Sequence, residues 1–127
     1  MEHIAKNDFF EVSVDPVLNR FYFKVVGFWN DPSIGEDFVK NAIKGVDMLK
    51  DGCTVLVNML ELKTPPAVIK QFFVQLQSHV VSKNPGKIAE VMDSKLIEVN
   101  LDETKEKSGV KTNVFSTISE ATKYLGS

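Results

Sequence analysis

The residues of this chain able to do chemistry are few and far apart. Cys53 is the only thiol, and His3 and His79 are the only imidazoles. Nucleophilic catalysis by Cys53 needs a positioned base. Cys53 instead opens the apolar run CTVLVNML, where a small thiol is an ordinary core occupant. Metal binding needs convergent His, Cys or carboxylate ligands. His3 lies in an N-terminal stretch, residues 1–7, expected to be disordered. His79 stands between Gln75 and Lys83, off the apolar stripe of its helix, and reads as a surface or boundary histidine. Acid–base work needs two carboxylates in environments that separate their pKa values. Glu11 with Asp15 and Glu61 with Glu98 are the pairs on offer, and solvated surface charge is the plainer reading of both. There is no Gly-rich phosphate loop, no G-x-S-x-G elbow and no H-E-x-x-H. No catalytic residue, cofactor or metal is assigned, and the chain is expected not to be an enzyme.

One hydroxyl stands at a more suggestive place. In VNMLELKTPPAVIKQFF a strand gives way to a helix at Lys63-Thr64-Pro65-Pro66. Proline suits the first helical position, and it pushes the preceding residue into the extended conformation of a cap. Thr64 is therefore expected to be an N-cap. Trp29 and Asn30 end an earlier strand, with the Trp29 ring expected to be partly exposed. Open α/β sheets bind ligands outside the carboxyl ends of their strands. Trp29, Asn30, Glu61 and Thr64 thus form the candidate ligand or partner edge.

The elements that must position these residues follow from hydrophobic periodicity. FFEVSVD alternates as a strand with one wet face, and RFYFKVVGFW follows across the short turn PVLN as its hairpin partner. In DPSIGEDFVKNAIKGVDMLKDG the apolar residues Ile34, Phe38, Ala42, Val46 and Leu49 recur at helical spacing. Ser33 and Glu36 fit a capping box and Gly52 a stop. Gly35 and Gly45 weaken this helix, so packing must hold it. The run CTVLVNML reads as a strand covered on both faces. A second helix over about Pro65 to Ser82 carries Ile69, Phe72, Phe73, Leu76 and Val80. KIAEVMD is a fourth strand. SKLIEVNLDETKEKSG is taken as a third helix capped by Asp93 or Ser94, although Ile97, Val99 and Leu101 also alternate. VKTNVFS is a fifth strand, and TISEATKYLG a last helix with Thr117 and Glu120 as its capping box.

The order β-β-α-β-α-β-α-β-α predicts an α/β fold: a mixed, mostly parallel five-stranded sheet with four helices, the first strand antiparallel. The 127 residues make one domain, 1–127, large enough for a real core. With a net charge of −2 and acids and bases interspersed, no basic stripe marks a nucleic-acid binder. No apolar run reaches membrane-spanning length, and MEHIAKND is not a signal peptide. A lone cysteine fits a reducing, cytoplasmic setting. The aromatic crowd from Phe9 to Trp29 has only Arg20 and Lys24 beside it, so it reads as core.

The order of elements, the apolar strand TVLVNML and the ending VFSTISEATKYLG resemble the SpoIIAA-like fold of anti-sigma-factor antagonist (STAS) domains and of small bacterial proteins of unknown role. The resemblance spans almost the whole chain. In that family, it implies, an Asp-Ser-Ser-Gly motif after the third strand carries a serine phosphorylated by a partner kinase. Here the corresponding junction is Glu61-Leu62-Lys63-Thr64-Pro65-Pro66, without the serine or the glycine. The phosphorylation switch is not carried over, and the uncharacterised branch of the family is the nearer resemblance. The implied function is a non-enzymatic regulatory or protein-interaction module with an unknown protein partner. The alternative is a domain for a small apolar ligand or lipid, held in a cleft between helices and sheet. Homodimerisation is open, because the first strand could leave a pairable sheet edge.

Overall fold

The computed structural model describes residues 1–126. Its elements are β1 (Glu2–Lys6), β2 (Phe10–Asp15), β3 (Arg20–Gly27), α1 (Pro32–Asp47), β4 (Thr54–Leu62), α2 (Ala67–Ser82), β5 (Ile88–Val91), α3 (Lys95–Ser108), β6 (Asn113–Phe115) and α4 (Ile118–Leu125). The α/β class and the four helices are as the periodicity predicts. The sheet has six strands, in the order β1-β2-β3-β4-β5-β6. β1 and β2, and β2 and β3, pair antiparallel; the remaining three pairings are parallel.

The sixth strand is the segment expected to be disordered. Glu2–Lys6 pairs with β2, and Ile4 and Ala5 pack against the main core. Five residues with two small apolar contacts have no strand signal of their own; the free edge of β2 supplies their order. A register shift between His3 and Ala5 bulges this strand at Ile4. β2 is consequently flanked on both sides, and the pairable edge expected of it passes to β1.

The hairpin is set by Asp15, whose Oδ1 accepts from the N–H groups of Val17 (3.0 Å) and Leu18 (3.1 Å). Asn19, at φ 54, completes the turn into β3. From β3 onward each crossover advances one strand in the same direction. Helices α1, α2 and α3 then share one face of the sheet, with Phe38, Val46, Ile69, Phe73, Leu76, Ile97 and Leu101 packed on Val12, Phe21, Val25, Val55 and Val57. α4 lies on the opposite face, where Ala121 and Leu125 meet Leu56, Ala89 and Val91. β4 is the strand apolar on both faces, as its run of residues predicts.

The helix ends differ in detail from the sequence reading. α1 is capped by Asp31, two residues before Ser33, with Oδ1 accepting from Ser33 N at 2.9 Å and Pro32 in the first turn. That hydrogen bond holds the exposed Asp31 carboxyl below its ordinary range. It closes through Met48 rather than Gly52. α3 is a helix throughout, capped by Ser94, with Ile97, Leu101 and Thr104 buried. α4 starts at its Thr117 cap, whose Oγ1 accepts from Glu120 N at 3.2 Å. Two cations close its far end: Arg20 bonds Gly126 O, and Lys87 Nζ bonds Tyr124 O at 3.0 Å.

Both glycines that weaken α1 lie at close approaches. A Cβ on Gly35 would come within 2.3 Å of the Phe72 ring of α2, and one on Gly45 within 3.0 Å of Phe21. Alanine in an open helix gains about 1 kcal/mol over glycine. At Gly35 overpacking, typically about 1–3 kcal/mol, opposes that gain. Gly35→Ala is expected to lower stability by about 1 kcal/mol in urea denaturation, and Gly35→Ala with Phe72→Leu to recover the loss.

Candidate functional site

The four residues assigned to the carboxyl edge do not act as one site. β3 and β4 end side by side, with Gly27 opposite Leu62 and Lys63 N donating to Gly27 O at 3.0 Å. The loops bearing Asn30 and Thr64 therefore leave the sheet together. Asn30 and Glu61 are exposed and Thr64 is half-buried. Trp29 is fully buried, against the expectation of partial exposure. Gly27, at φ 78, turns the chain so that the indole packs against Phe38 (5.2 Å between ring centroids) and Phe73 (5.5 Å). Its Nε1 donates to Val26 O at 3.1 Å, so the ring is satisfied within the core.

Thr64 is not the cap of α2. The N-cap is Pro66, extended at φ −71 and ψ 165, and no side chain caps this helix. The second proline is the cause. Pro66 bars Pro65 from helical backbone just as Pro65 bars Thr64, so the first turn moves past both. Ile69 N and Lys70 N take the Pro66 carbonyl instead.

Of the four, Glu61 alone joins a wider arrangement. Its carboxylate bonds Lys24 Nζ at 2.8 Å. That hydrogen bond, with Glu11 adding its field, holds the Lys24 ammonium above its ordinary value. Lys24 belongs to a cross-strand row on the sheet face that carries α4: Lys6, Glu11, Lys24 and Asn58 stand opposite one another on β1 to β4. The next row is His3, Ser13, Tyr22 and Leu56. α4 covers β4 to β6 and stops short of this region. A groove of about 210 Å³ results, lined by Ser13, Tyr22, Phe23 and Leu56 and flanked by Glu11, Lys24 and Asn58, with Met1 and, from α4, Ile118 as further walls. The strand alternation in FFEVSVD and RFYFKVVG was the available signal for it: Glu11, Ser13, Tyr22 and Lys24, on one side of the two strands, are among the residues that line it.

A second polar cluster lies inside the helix face. Glu90, 5% exposed on β5, pairs with Lys105 of α3 and accepts from Thr112 Oγ1 at 2.7 Å. Beside it Gln77 Nε2 donates to Thr104 Oγ1 (3.0 Å) and Ser108 Oγ donates to Gln77 Oε1 (2.8 Å). Two cavities of about 40 and 30 Å³ flank Glu90 and Gln77, walled otherwise by Phe23, Val57 and Leu76. Sequence reasoning passed over this cluster, because alternation leaves Glu90, the one acid inside the apolar run of KIAEVMD, unassigned.

The remaining candidates are dispersed. Cys53 is fully buried, and burial pushes its thiol up. His79, half-buried at the end of α2, meets Asp47 Oδ1 of α1 at 2.7 Å. Among the described residues no three His, Cys, Asp or Glu side chains converge as a metal-binding group, and no helix is long and apolar enough to cross a membrane. Comparison of the chain with protein-family models, with curated proteins and with solved structures finds no match in any of the three.

Two measurements follow from this geometry. Thr64→Ala is expected to change stability by less than about 0.5 kcal/mol, whereas Thr117→Ala, which removes a real cap, loses about 1 kcal/mol in denaturant melts. Breaking the buried pair by Lys105→Met is expected to cost about 3–5 kcal/mol, because Glu90 is left as an uncompensated buried charge. Lys105→Met combined with Glu90→Leu is expected to return most of that stability in the same assay.

Proposed function

We propose that this chain is a non-enzymatic regulatory or protein-interaction module of the SpoIIAA-like, anti-sigma-factor antagonist type, from the branch without the phosphoserine motif. The observation that carries the reading is the make-up of the junction after β4. Three apolar side chains stand exposed on the segments that meet there: Phe28 after β3, Leu60 near the end of β4 and Val68 in the first turn of α2, at 49%, 36% and 44%. Exposed apolar groups on segments that meet at one rim are what a protein partner would cover. The segments that bear them flank the junction that corresponds to the resembled family's regulated serine. Here the only hydroxyl there, Thr64, precedes two prolines, so the surface is read by a partner without a switch at this point.

A second reading, a domain for a small apolar ligand or lipid, is favoured by the two cavities between the helix layer and the sheet. At about 10–15 Å³ per water they hold a few solvent-sized groups. A small apolar molecule suits them; a lipid chain would have to part α2 and α3 from the strands.

The two readings separate experimentally. Under the first, tagged protein retains a defined partner in a pull-down from its native host. Phe28→Ser with Val68→Ser is expected to lose that partner at unchanged melting temperature, and Thr64→Asp to keep it. A partner set unchanged by the double substitution would overturn the assignment of this rim. A small molecule carried through purification and seen in native mass spectrometry would favour the second reading.

A further inference from the structure

The Glu90 cluster leaves one strong acceptor unmatched. Lys105 Nζ and Thr112 Oγ1 both bond Oε1 of the carboxylate, and Oε2 accepts no hydrogen bond from a described residue. Asn100 Oδ1 is the one side-chain atom among the described residues that is sealed in without a partner. Oε2 is therefore not sealed in: on a side chain only 5% exposed, it borders the two cavities that Glu90 lines. Gln77 lines both cavities as well. Its Nε2 gives one N–H to Thr104 Oγ1 at 3.0 Å, and its second N–H has no acceptor among the described residues. A carboxylate oxygen on β5 and an amide N–H on α2 thus border the same space. One hydroxyl group satisfies both, donating to the first and accepting from the second.

The rest of the space selects what carries that hydroxyl. Apart from Thr112, the remaining walls are apolar, and Phe23, Val57 and Leu76 are common to both cavities. Lys105 already neutralises Glu90. An ammonium would bring in an uncompensated positive charge, and a carboxylate would face Glu90 across apolar walls; both are costly to bury. Water meets the polar spot, but it has no partners along the apolar remainder. The cavities of about 40 and 30 Å³ take about three and two water-sized groups. A hydroxyl on a short alkyl chain matches that size and that division into polar and apolar parts. We infer that the space beneath α2, around Glu90 and Gln77, is a binding site for a neutral aliphatic alcohol of up to about four carbons. Its hydroxyl bonds Glu90 Oε2 and its chain lies among Phe23, Val57 and Leu76. This inference rests on the second reading of function, a domain for a small apolar ligand.

The test is a titration of the whole chain followed by the methyl NMR signals of Val57 and Leu76. The probes are ethanol, 1-propanol and 1-butanol, with methyl propyl ether, butylammonium and butyrate as controls. At least one alcohol is expected to saturate with a Kd of about 1 mM. The ether has the size of 1-butanol but no donor, and is expected to bind about tenfold more weakly. Glu90→Leu with Lys105→Met is expected to weaken alcohol binding about tenfold and to leave the ether no weaker. Equal affinity for alcohol and ether would overturn the inference and leave the small-apolar-ligand reading standing. Tighter binding of butylammonium or butyrate, or wild-type alcohol affinity in the folded double variant, would also overturn it. No saturable shift with any probe would overturn the inference and that reading together. The wild-type series decides the question by itself if the double variant does not fold.

Discussion

Every layer of this molecule depends on the direction of its crossovers. A right-handed connection that always advances to the next strand on the same side must always lay its helix on the same face. Three such steps, from β3 to β6, fill one face with α1, α2 and α3. α4, which leads to no further parallel strand among the described residues, lies on the opposite face. The two faces then acquire different chemistry. Where helices cover both sides, at β4 and β5, the strands are nearly all apolar. Where only α1 covers one side, at β1 to β3, the reverse side keeps Glu11, Ser13, Tyr22 and Lys24.

The buried pair Glu90–Lys105 is best understood within that frame. β5 is four residues long and wholly buried, so any polar side chain on it must find its partner inside the protein. Lys105 of α3 and Thr112 ahead of β6 supply those partners. The pair adds little net stability over a well-packed apolar alternative. Its geometric effect is larger: only one rotation and height of α3 brings Lys105 to Glu90 and Thr104 to Gln77 together. α3 has a weakly apolar surface and needs such a pin more than α1 or α2 does.

Much of this was readable from residue order, and the failures have identifiable causes. The apolar run of β4, the stripes of α1 and α2 and the cap Thr117 each declare their element through local pattern alone, whereas the start of α3 stayed open between Asp93 and Ser94. β1 declares nothing, because two small apolar contacts do not outweigh chain entropy until β2 presents an edge. Trp29 was misplaced because a positive φ at Gly27 redirects the chain after the strand pattern has ended. Thr64 was misassigned because the rule for one proline was applied where two stand in series. The groove was half legible: alternation identifies its residues as the wet side of β2 and β3, but the distance that α4 reaches across the sheet is a tertiary fact.

The bulge at Ile4 bears on how this sheet meets copies of itself. A regular edge strand is a template, and a second chain can add to it indefinitely, as in cross-β fibrils. Here one margin is kinked at its middle residue and flanked by Glu2 and Lys6, while the other margin, β6, is three residues long. A kinked margin and a three-residue margin are both poor templates for a growing ribbon. Irregular or short strands at both margins are a feature by which sheets with so apolar a central strand limit backbone-to-backbone association.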